Sequence, residues 1–123
     1  MPVRSLNSSV LKWPDLRTVD MAIRKWAKEE LKKHEGVQLL GYFGSYAQGN
    51  WGVGSDLDIV AILSSSSEPF ERRNLNWDLS TLPVPAELIV YTEKEWRMLK
   101  SDNTRFVRML AQKTVWIHVA EKV

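Results

Sequence analysis

The stretch from residue 41 to residue 63, GYFGSYAQGNWGVGSDLDIVAIL, most constrains the fold of this chain. A short apolar run stops before Gly44, and a second apolar run begins at Asp56-Leu57-Asp58 after a glycine-rich link. Short apolar runs that contain β-branched and aromatic residues predict buried strands. Because the second run is apolar on both of its alternating faces beyond Asp58, it predicts a central strand that is covered on both sides.

The residues that follow the first predicted strand suit an anion. Gly44 permits a sharp turn with close backbone approach to a ligand, and Ser45 can open a single helical turn that Gly49 ends. The unpaired N–H groups of such a turn, together with the Ser45 hydroxyl, favour a phosphate group. The alternative is that the glycines only make the loop flexible, since neither G-K-[ST] nor G-x-G-x-x-G accompanies them.

The two acids at the start of the second predicted strand suit a metal ion. Because strand side chains alternate, Asp56 and Asp58 share one face and lie about 7 Å apart along the strand. Paired carboxylates repel each other and are costly to desolvate unless a cation lies between them. Oxygen ligands suit Mg²⁺, and two such ions form the usual clamp for phosphoryl or nucleotidyl displacement. The alternative for this pair is a solvated turn.

Gly44-Ser45, ten intervening residues and Asp56-x-Asp58 before an apolar strand resemble a known signature. It is that of the nucleotidyltransferase superfamily that shares its catalytic core with DNA polymerase β. The chain is similar in length to the minimal nucleotidyltransferases, which include antitoxin partners of HEPN ribonuclease toxins. The resemblance covers roughly residues 15 to 120 and implies an α/β (α+β) fold, with a small mixed sheet flanked by helices.

The resemblance also implies roles for individual residues. The family has a third carboxylate on a later strand, and Glu87 is the candidate because it opens the other compact apolar run that carries an acid. By resemblance, Asp56 and Asp58 hold two Mg²⁺ ions, while Glu87 helps to hold the second and assists deprotonation of the attacking hydroxyl. The alternative for Glu87 is an exposed strand residue. The expected nucleotide-binding residues are Gly44, Ser45, Gln48 and Ser55.

The implied function is Mg²⁺-dependent transfer of NMP from an NTP, with ATP expected, to a hydroxyl of a HEPN-type partner protein or of RNA. An oligomer or hetero-complex is expected. Two residues depart from the family pattern, since relatives commonly carry Asp where Glu87 stands and many carry Arg where Gln48 stands. They favour the alternative of a weak or inactive binding module that neutralises a partner protein. A plain nucleic-acid-binding domain is a third hypothesis, which predicts salt-dependent RNA affinity independent of the two aspartates.

The chain length of 123 residues predicts one domain, 15–123, after an irregular lead-in, 1–14. With 17 basic and 15 acidic residues, the net charge of +2 does not demand a nucleic-acid partner. Cysteine is absent and no apolar stretch approaches the roughly 20 residues of a membrane span. These features predict a cytoplasmic protein with no membrane partner.

The rest of the chain predicts elements around the two central strands. Apolar residues at helical spacing predict a helix from Asp15 through Lys33, packed by its Trp26 face, whose charged face is either solvated or a docking surface for RNA or an acidic partner. Further predictions are a helix over 70–79, a strand from Pro85 to Tyr91, a helix begun by the capping box at Thr92, a second helix around Phe106 and an edge strand over 115–119.

Two assignments stay open at this point. Trp51 lies in the glycine-rich link and either stacks on a nucleobase or is an exposed loop aromatic. One basic side chain of the C-terminal part could supply the charge that Gln48 lacks. The candidates are Arg97, Lys100, Arg105, Arg108 and Lys113.

Overall fold

The computed structural model describes residues 13–120, so the predicted lead-in lies outside the described residues except for its last two positions. Within this range the chain forms four strands, five α-helices and one 3₁₀ turn, and the predicted small sheet flanked by helices is confirmed. In chain order these are α1 (Leu16–Leu31), β1 (Val37–Phe43), α2 (Ser45–Gln48), β2 (Leu57–Leu63), α3 (Phe70–Arg73), the 3₁₀ turn (Asn74–Asn76), β3 (Ala86–Thr92), α4 (Glu93–Asp102), α5 (Arg105–Lys113) and β4 (Val115–Val119).

The four strands form one mixed sheet in the order β3-β2-β1-β4. As predicted, β2 is a central strand and β4 is an outermost strand of the sheet. Strand β2 runs antiparallel to β1 and parallel to β3. The end of β1 and the starts of β2 and β3 therefore meet at one edge of the sheet. We call this the acidic edge, and it is defined by Phe43, Asp58 and Glu87, which are register partners across the three strands.

Alternation along β2 divides its side chains between two cores. Ile59 packs with Val19 and Trp26 of α1, so this side of the sheet is the α1 face. Val60 and Ile62 pack with residues of α4 and α5 on the opposite side, which is the α4–α5 face. Since side chains two residues apart point the same way, Asp58 lies on the α4–α5 face with Val60.

The helices begin where the sequence predicts. The Asp15 side chain accepts a hydrogen bond from the Thr18 N–H at 2.9 Å and caps α1. The predicted capping box at the start of α4 is present, with the Thr92 and Glu95 side chains each accepting from the other residue's backbone. On the charged face of α1, Arg24 is paired with Asp20 at 2.8 Å. None of the helices within 13–120 is long and apolar enough to cross a bilayer.

The predicted helix over 70–79 is wrong beyond residue 76. Helix α3 and the 3₁₀ turn are followed by extended backbone at Trp77, where φ is −106° and ψ is 140°. The Trp77 ring is buried and stacks on His34 with centroids 3.9 Å apart, and the Asp78 N–H donates to Glu30 at 3.0 Å. These contacts to α1 and to the residues just after it need an extended chain, so tertiary packing overrides the local helical pattern.

Candidate active site

The turn after β1 brings Gly44 against the Asp58 carboxylate. Phe43 is the register partner of Asp58, and Gly44 has a φ of +80° and a ψ of −151°. A Cβ atom on Gly44 would collide with Oδ2 of Asp58. Because glycine has no side chain, there is room at residue 44 for the Asp58 carboxylate, which lies beside the first turn of α2.

Helix α2 is the single turn that the sequence predicts. Its first backbone hydrogen bond runs from the Gln48 N–H to the Gly44 carbonyl at 3.0 Å, and Gly49 ends it in the left-handed region. Because the first N–H groups of a helix have no intrahelical acceptor, those that follow Gly44 are donors for a ligand. Ser45 is half-buried beside them, whereas Gln48 is exposed at the far end of the turn.

Three carboxylates act on one another across the acidic edge. Asp58 is half-buried and is the register partner of Glu87, while Asp56 and Glu87 are exposed. Burial raises the pKa of Asp58, and the negative charges of Glu87 and Asp56 raise it further. No cationic side chain of the described residues is among the groups that shift this pKa. Burial and like charge therefore both disfavour the ionised form of Asp58.

The donor set fits a hard cation such as Mg²⁺, because every candidate ligand is a carboxylate oxygen. Among residues 13–120, however, no three acidic, histidine or cysteine side chains converge to ligand distance. Asp58 is held against Gly44, whereas Asp56 and Glu87 are exposed side chains that can rotate toward it. A bound ion would thus draw the outer two carboxylates in toward the inner one.

The glycine-rich link between α2 and β2 is closed by Ser55. Its hydroxyl accepts a hydrogen bond from the Gly52 N–H at 2.8 Å, and its own N–H donates to the Gly52 carbonyl at 3.0 Å. These bonds fix the chain just before Asp56. The structure therefore places Ser55 as a residue that shapes the loop, and its predicted contact with a nucleotide stays a prediction.

Trp51 packs toward the α1 face. Its ring lies parallel to that of Tyr46, with an interplanar angle of 8° and centroids 5.7 Å apart. Tyr46 is fully buried in the core on the α1 face, and Trp51 packs against that core. Packing accounts for this tryptophan, and it lies toward the opposite side of the sheet from the Asp58 carboxylate.

We expect Asp58→Asn to stabilise the protein near neutral pH in the absence of metal, by roughly 0.5 kcal/mol. This free energy is in the range expected for like charges that face each other on neighbouring strands. It is small because water still reaches the Asp58 carboxyl group and screens the repulsion. Because the pKa of Asp58 is raised in the fold, its charge destabilises the fold as the pH rises through that raised pKa. Urea denaturation from pH 3.5 to pH 8 should show the two proteins converging in acid. Equal stability at all pH values would contradict the repulsion.

The model of the family described as the nucleotidyltransferase domain matches residues 24–117, which include both apolar strands, the glycine-rich link and Glu87. No curated protein matches the chain in sequence.

Several solved structures share the fold. The chain is similar to a protein assigned as a nucleotidyltransferase from Sulfolobus solfataricus, with a TM-score of 0.59 and 17% identity over 82% of this chain and 80% of that one. It is also similar to a chain of a toxin–antitoxin pair crystallised with AMP-PNP, with a TM-score of 0.55 and 20% identity over 80% of this chain and 74% of that one. A mutant form of the MntA–HpeT toxin–antitoxin pair gives a TM-score of 0.52 and 17% identity over the same shares of the two chains.

Proposed function

This chain belongs to the nucleotidyltransferase domain family, and on that premise we propose that it transfers NMP from an NTP, with ATP expected, to a hydroxyl group in a Mg²⁺-dependent reaction. The observation that carries the proposal is the acidic edge. There, Asp58 lies against Gly44 and next to Glu87, and burial and the charges of Glu87 and Asp56 raise its pKa. Metal ions that accompany an NTP would offset this repulsion, since they carry the positive charge that both the carboxylates and the triphosphate need.

The proposed roles follow the geometry of the acidic edge. Asp56 and Asp58 would hold Mg²⁺, and Glu87 would complete the ligands of a second ion. Such ions, when bound, neutralise the triphosphate and stabilise the attacking and leaving oxygens of an in-line displacement. The N–H groups at the start of α2 and the Ser45 hydroxyl would hold the outer phosphates, with Gln48 at the rim.

The proposed reaction exchanges a phosphoanhydride bond of the NTP for a phosphoester bond to the acceptor. The acceptor oxygen forms a bond to the α-phosphorus, the bond from that phosphorus to the bridging oxygen breaks, and pyrophosphate leaves with the electron pair. Glu87 would accept the proton of the acceptor hydroxyl, because it is exposed beside Asp58 and can face both solvent and acceptor.

For the acceptor we propose a hydroxyl on a partner protein of the HEPN type, with RNA as the other candidate. Support comes from the shared fold with chains of toxin–antitoxin pairs. A second candidate function is a binding module that neutralises such a partner without turnover. Gln48 at the rim of the site and Glu87 favour this second candidate, because many relatives carry Arg in place of the first and relatives commonly carry Asp in place of the second.

The test is a calorimetric titration of MgATP into the wild type and into an Asp56→Asn, Asp58→Asn double variant. We expect metal-dependent binding in the wild type and at least about tenfold weaker binding in the variant, because its amide oxygens carry no charge. A Glu35→Gln, Glu71→Gln variant also removes two exposed carboxylates, but it removes them away from the acidic edge and should bind as the wild type does.

Two outcomes separate the candidates. If the wild type binds none of the four NTPs with Mg²⁺ or Mn²⁺, the proposed transfer is wrong and the module that binds a partner is favoured. If it binds MgATP, incubation with partner proteins or RNA should add the mass of one nucleotidyl group to the true acceptor. That mass shift should require both aspartates.

A further inference from the structure

An exposed aromatic side chain lies next to the acidic edge. Phe106, in the first turn of α5, is 42% exposed, and its ring and that of Phe43 form a T-shaped pair with an interplanar angle of 81° and centroids 6.1 Å apart. Phe43 is the register partner of Asp58 on the neighbouring antiparallel strand. Side chains directly opposite each other in such a pair project from the same face, with Cβ atoms about 4.5–5.5 Å apart. Phe106 and the Asp58 carboxylate therefore flank the same side chain.

The helix holds this ring at a fixed position. Val107 and Leu110 bury α5 against the sheet at 3% and 0% exposure. The Thr104 side chain accepts a hydrogen bond from the Val107 N–H at 3.3 Å and caps the first turn. With these anchors in place, Phe106 projects from a rigid element with almost half of its surface in contact with water. Packing in the core explains the buried part of the Phe106 ring but gives no reason for an aromatic side chain whose other part is exposed.

Two other aromatic side chains that are at least partly exposed, Trp51 and Phe70, differ from Phe106. Trp51 uses one ring face on Tyr46 and packs against the core on the α1 face. Phe70 is similarly exposed, at 47%, but it stacks on Tyr91 toward the far end of β3. Among the large apolar side chains that are exposed in residues 13–120, these two phenylalanines are the aromatic ones. Of the two, Phe106 is the one that contacts Phe43, the register partner of Asp58.

Resting on the proposed function, we propose that Phe106 is the surface on which the base of the bound NTP stacks. The triphosphate lies at Gly44 and Asp58, and the nucleoside crosses Phe43 toward α5. Stacking needs only a π-face and so tolerates every base. A purine offers the larger face, so purine nucleotides bind more tightly than pyrimidine nucleotides, without strict selection of one base.

The experiment compares two ligands that differ in the base. MgATP and magnesium tripolyphosphate are titrated into the wild type, Phe106→Leu, Phe106→Tyr and the matched control Phe70→Leu, after thermal melting confirms that each protein is folded. Phe106→Leu should weaken MgATP binding about tenfold, as expected for the loss of one base–aromatic stack, and should leave tripolyphosphate binding unchanged. Phe106→Tyr keeps a ring and should restore MgATP affinity, while Phe70→Leu should match the wild type.

Three results would overturn the stacking proposal. An equal loss for both ligands in Phe106→Leu would mean that the ring only supports the phosphate site. Unchanged MgATP affinity in that variant, with the Asp56→Asn, Asp58→Asn variant still defective, would refute stacking while the proposed function stands. If the wild type binds tripolyphosphate and MgATP equally well, the base makes no contribution and the stacking proposal also fails.

Discussion

Gly44→Ala is expected to weaken MgATP binding about 10- to 100-fold and to cost roughly 2–3 kcal/mol of stability. At a φ of +80° and a ψ of −151°, residue 44 has a backbone conformation that residues with a side chain rarely adopt. The added methyl group would also collide with Oδ2 of Asp58. The carboxylate can escape only by leaving its position beside α2, so one substitution displaces both the phosphate turn and a proposed metal ligand.

Gly49→Ala is the matched control for this prediction. Gly49 also has a φ of +80°, but a Cβ atom there would meet nothing within 4 Å. The control therefore carries backbone strain of about 1 kcal/mol without the collision. Urea denaturation gives the two stabilities, and calorimetry gives the two MgATP affinities. If both variants lose affinity equally, flexibility of the link explains the effect and the contact between Gly44 and Asp58 does not.

The central part of this fold could be predicted from sequence because local and global preferences agree there. The two apolar runs are too short for buried helices and are bounded by glycine or paired acids, so they predict two buried strands, the second of them central. The Thr92 capping box fixes where α4 begins from four residues alone. At each of these positions, nearby residues in the sequence make the contacts that determine the structure.

The sequence does not reveal features that depend on distant contacts. The extended backbone at Trp77 follows from contacts with α1 and with His34, just after α1. The role proposed for Phe106 follows from its contact with Phe43, 63 positions earlier, whereas its helical spacing predicts only an apolar stripe. Trp51, predicted either to stack on a base or to lie exposed in its loop, packs on Tyr46, and only the structure assigns it to a side of the sheet.

Arg73 is another feature without a sequence signal, since it appears as one basic residue in a short polar helix. Its side chain is 8% exposed and donates to Oε1 of Glu95 at 2.6 Å and to Oε2 at 3.2 Å. It also donates to the backbone carbonyls of Val90 at 3.2 Å and Glu68 at 3.0 Å. One guanidinium group therefore joins α3 and the chain before it to β3 and to the capping box of α4.

Arg73→Met is expected to destabilise the protein by about 3 kcal/mol, which is the low end for breaking a buried ion pair. Methionine fills much of the space but removes the Arg73 hydrogen bonds to the Val90 and Glu68 carbonyls and to the Glu95 carboxylate, which keeps only the bond from the Thr92 N–H. The low end applies because the Glu95 side chain is 38% exposed and regains some hydration. A double-mutant cycle with Glu95→Gln, measured by urea denaturation, isolates the pair, and a coupling below about 0.5 kcal/mol would contradict it.

The pH dependence of this variant gives an independent check. Arg73 lowers the pKa of Glu95 below its ordinary value of 4.5, with a further contribution from the Thr92 N–H. A lowered pKa means that the pair stabilises the fold fully above the ordinary value and loses that stabilisation as the pH falls through the lowered one. The difference between wild type and Arg73→Met should therefore be constant near neutral pH and shrink in acid. A difference that does not change with pH would indicate lost packing instead of a lost charge pair.

The Arg73→Met variant also tests whether a loss of stability alone changes nucleotide binding at the acidic edge. Arg73 contacts β3 at Val90, near the end of the strand, whereas Glu87 lies at its start on the acidic edge. At a temperature where Arg73→Met is fully folded, we expect its MgATP affinity to stay within about threefold of the wild type, as expected for sites without shared partners. Calorimetry at 10 °C measures this affinity. A large loss in the folded variant would mean that the far end of β3 controls the position of Glu87, so that the buried ion pair and the acidic edge act as one unit.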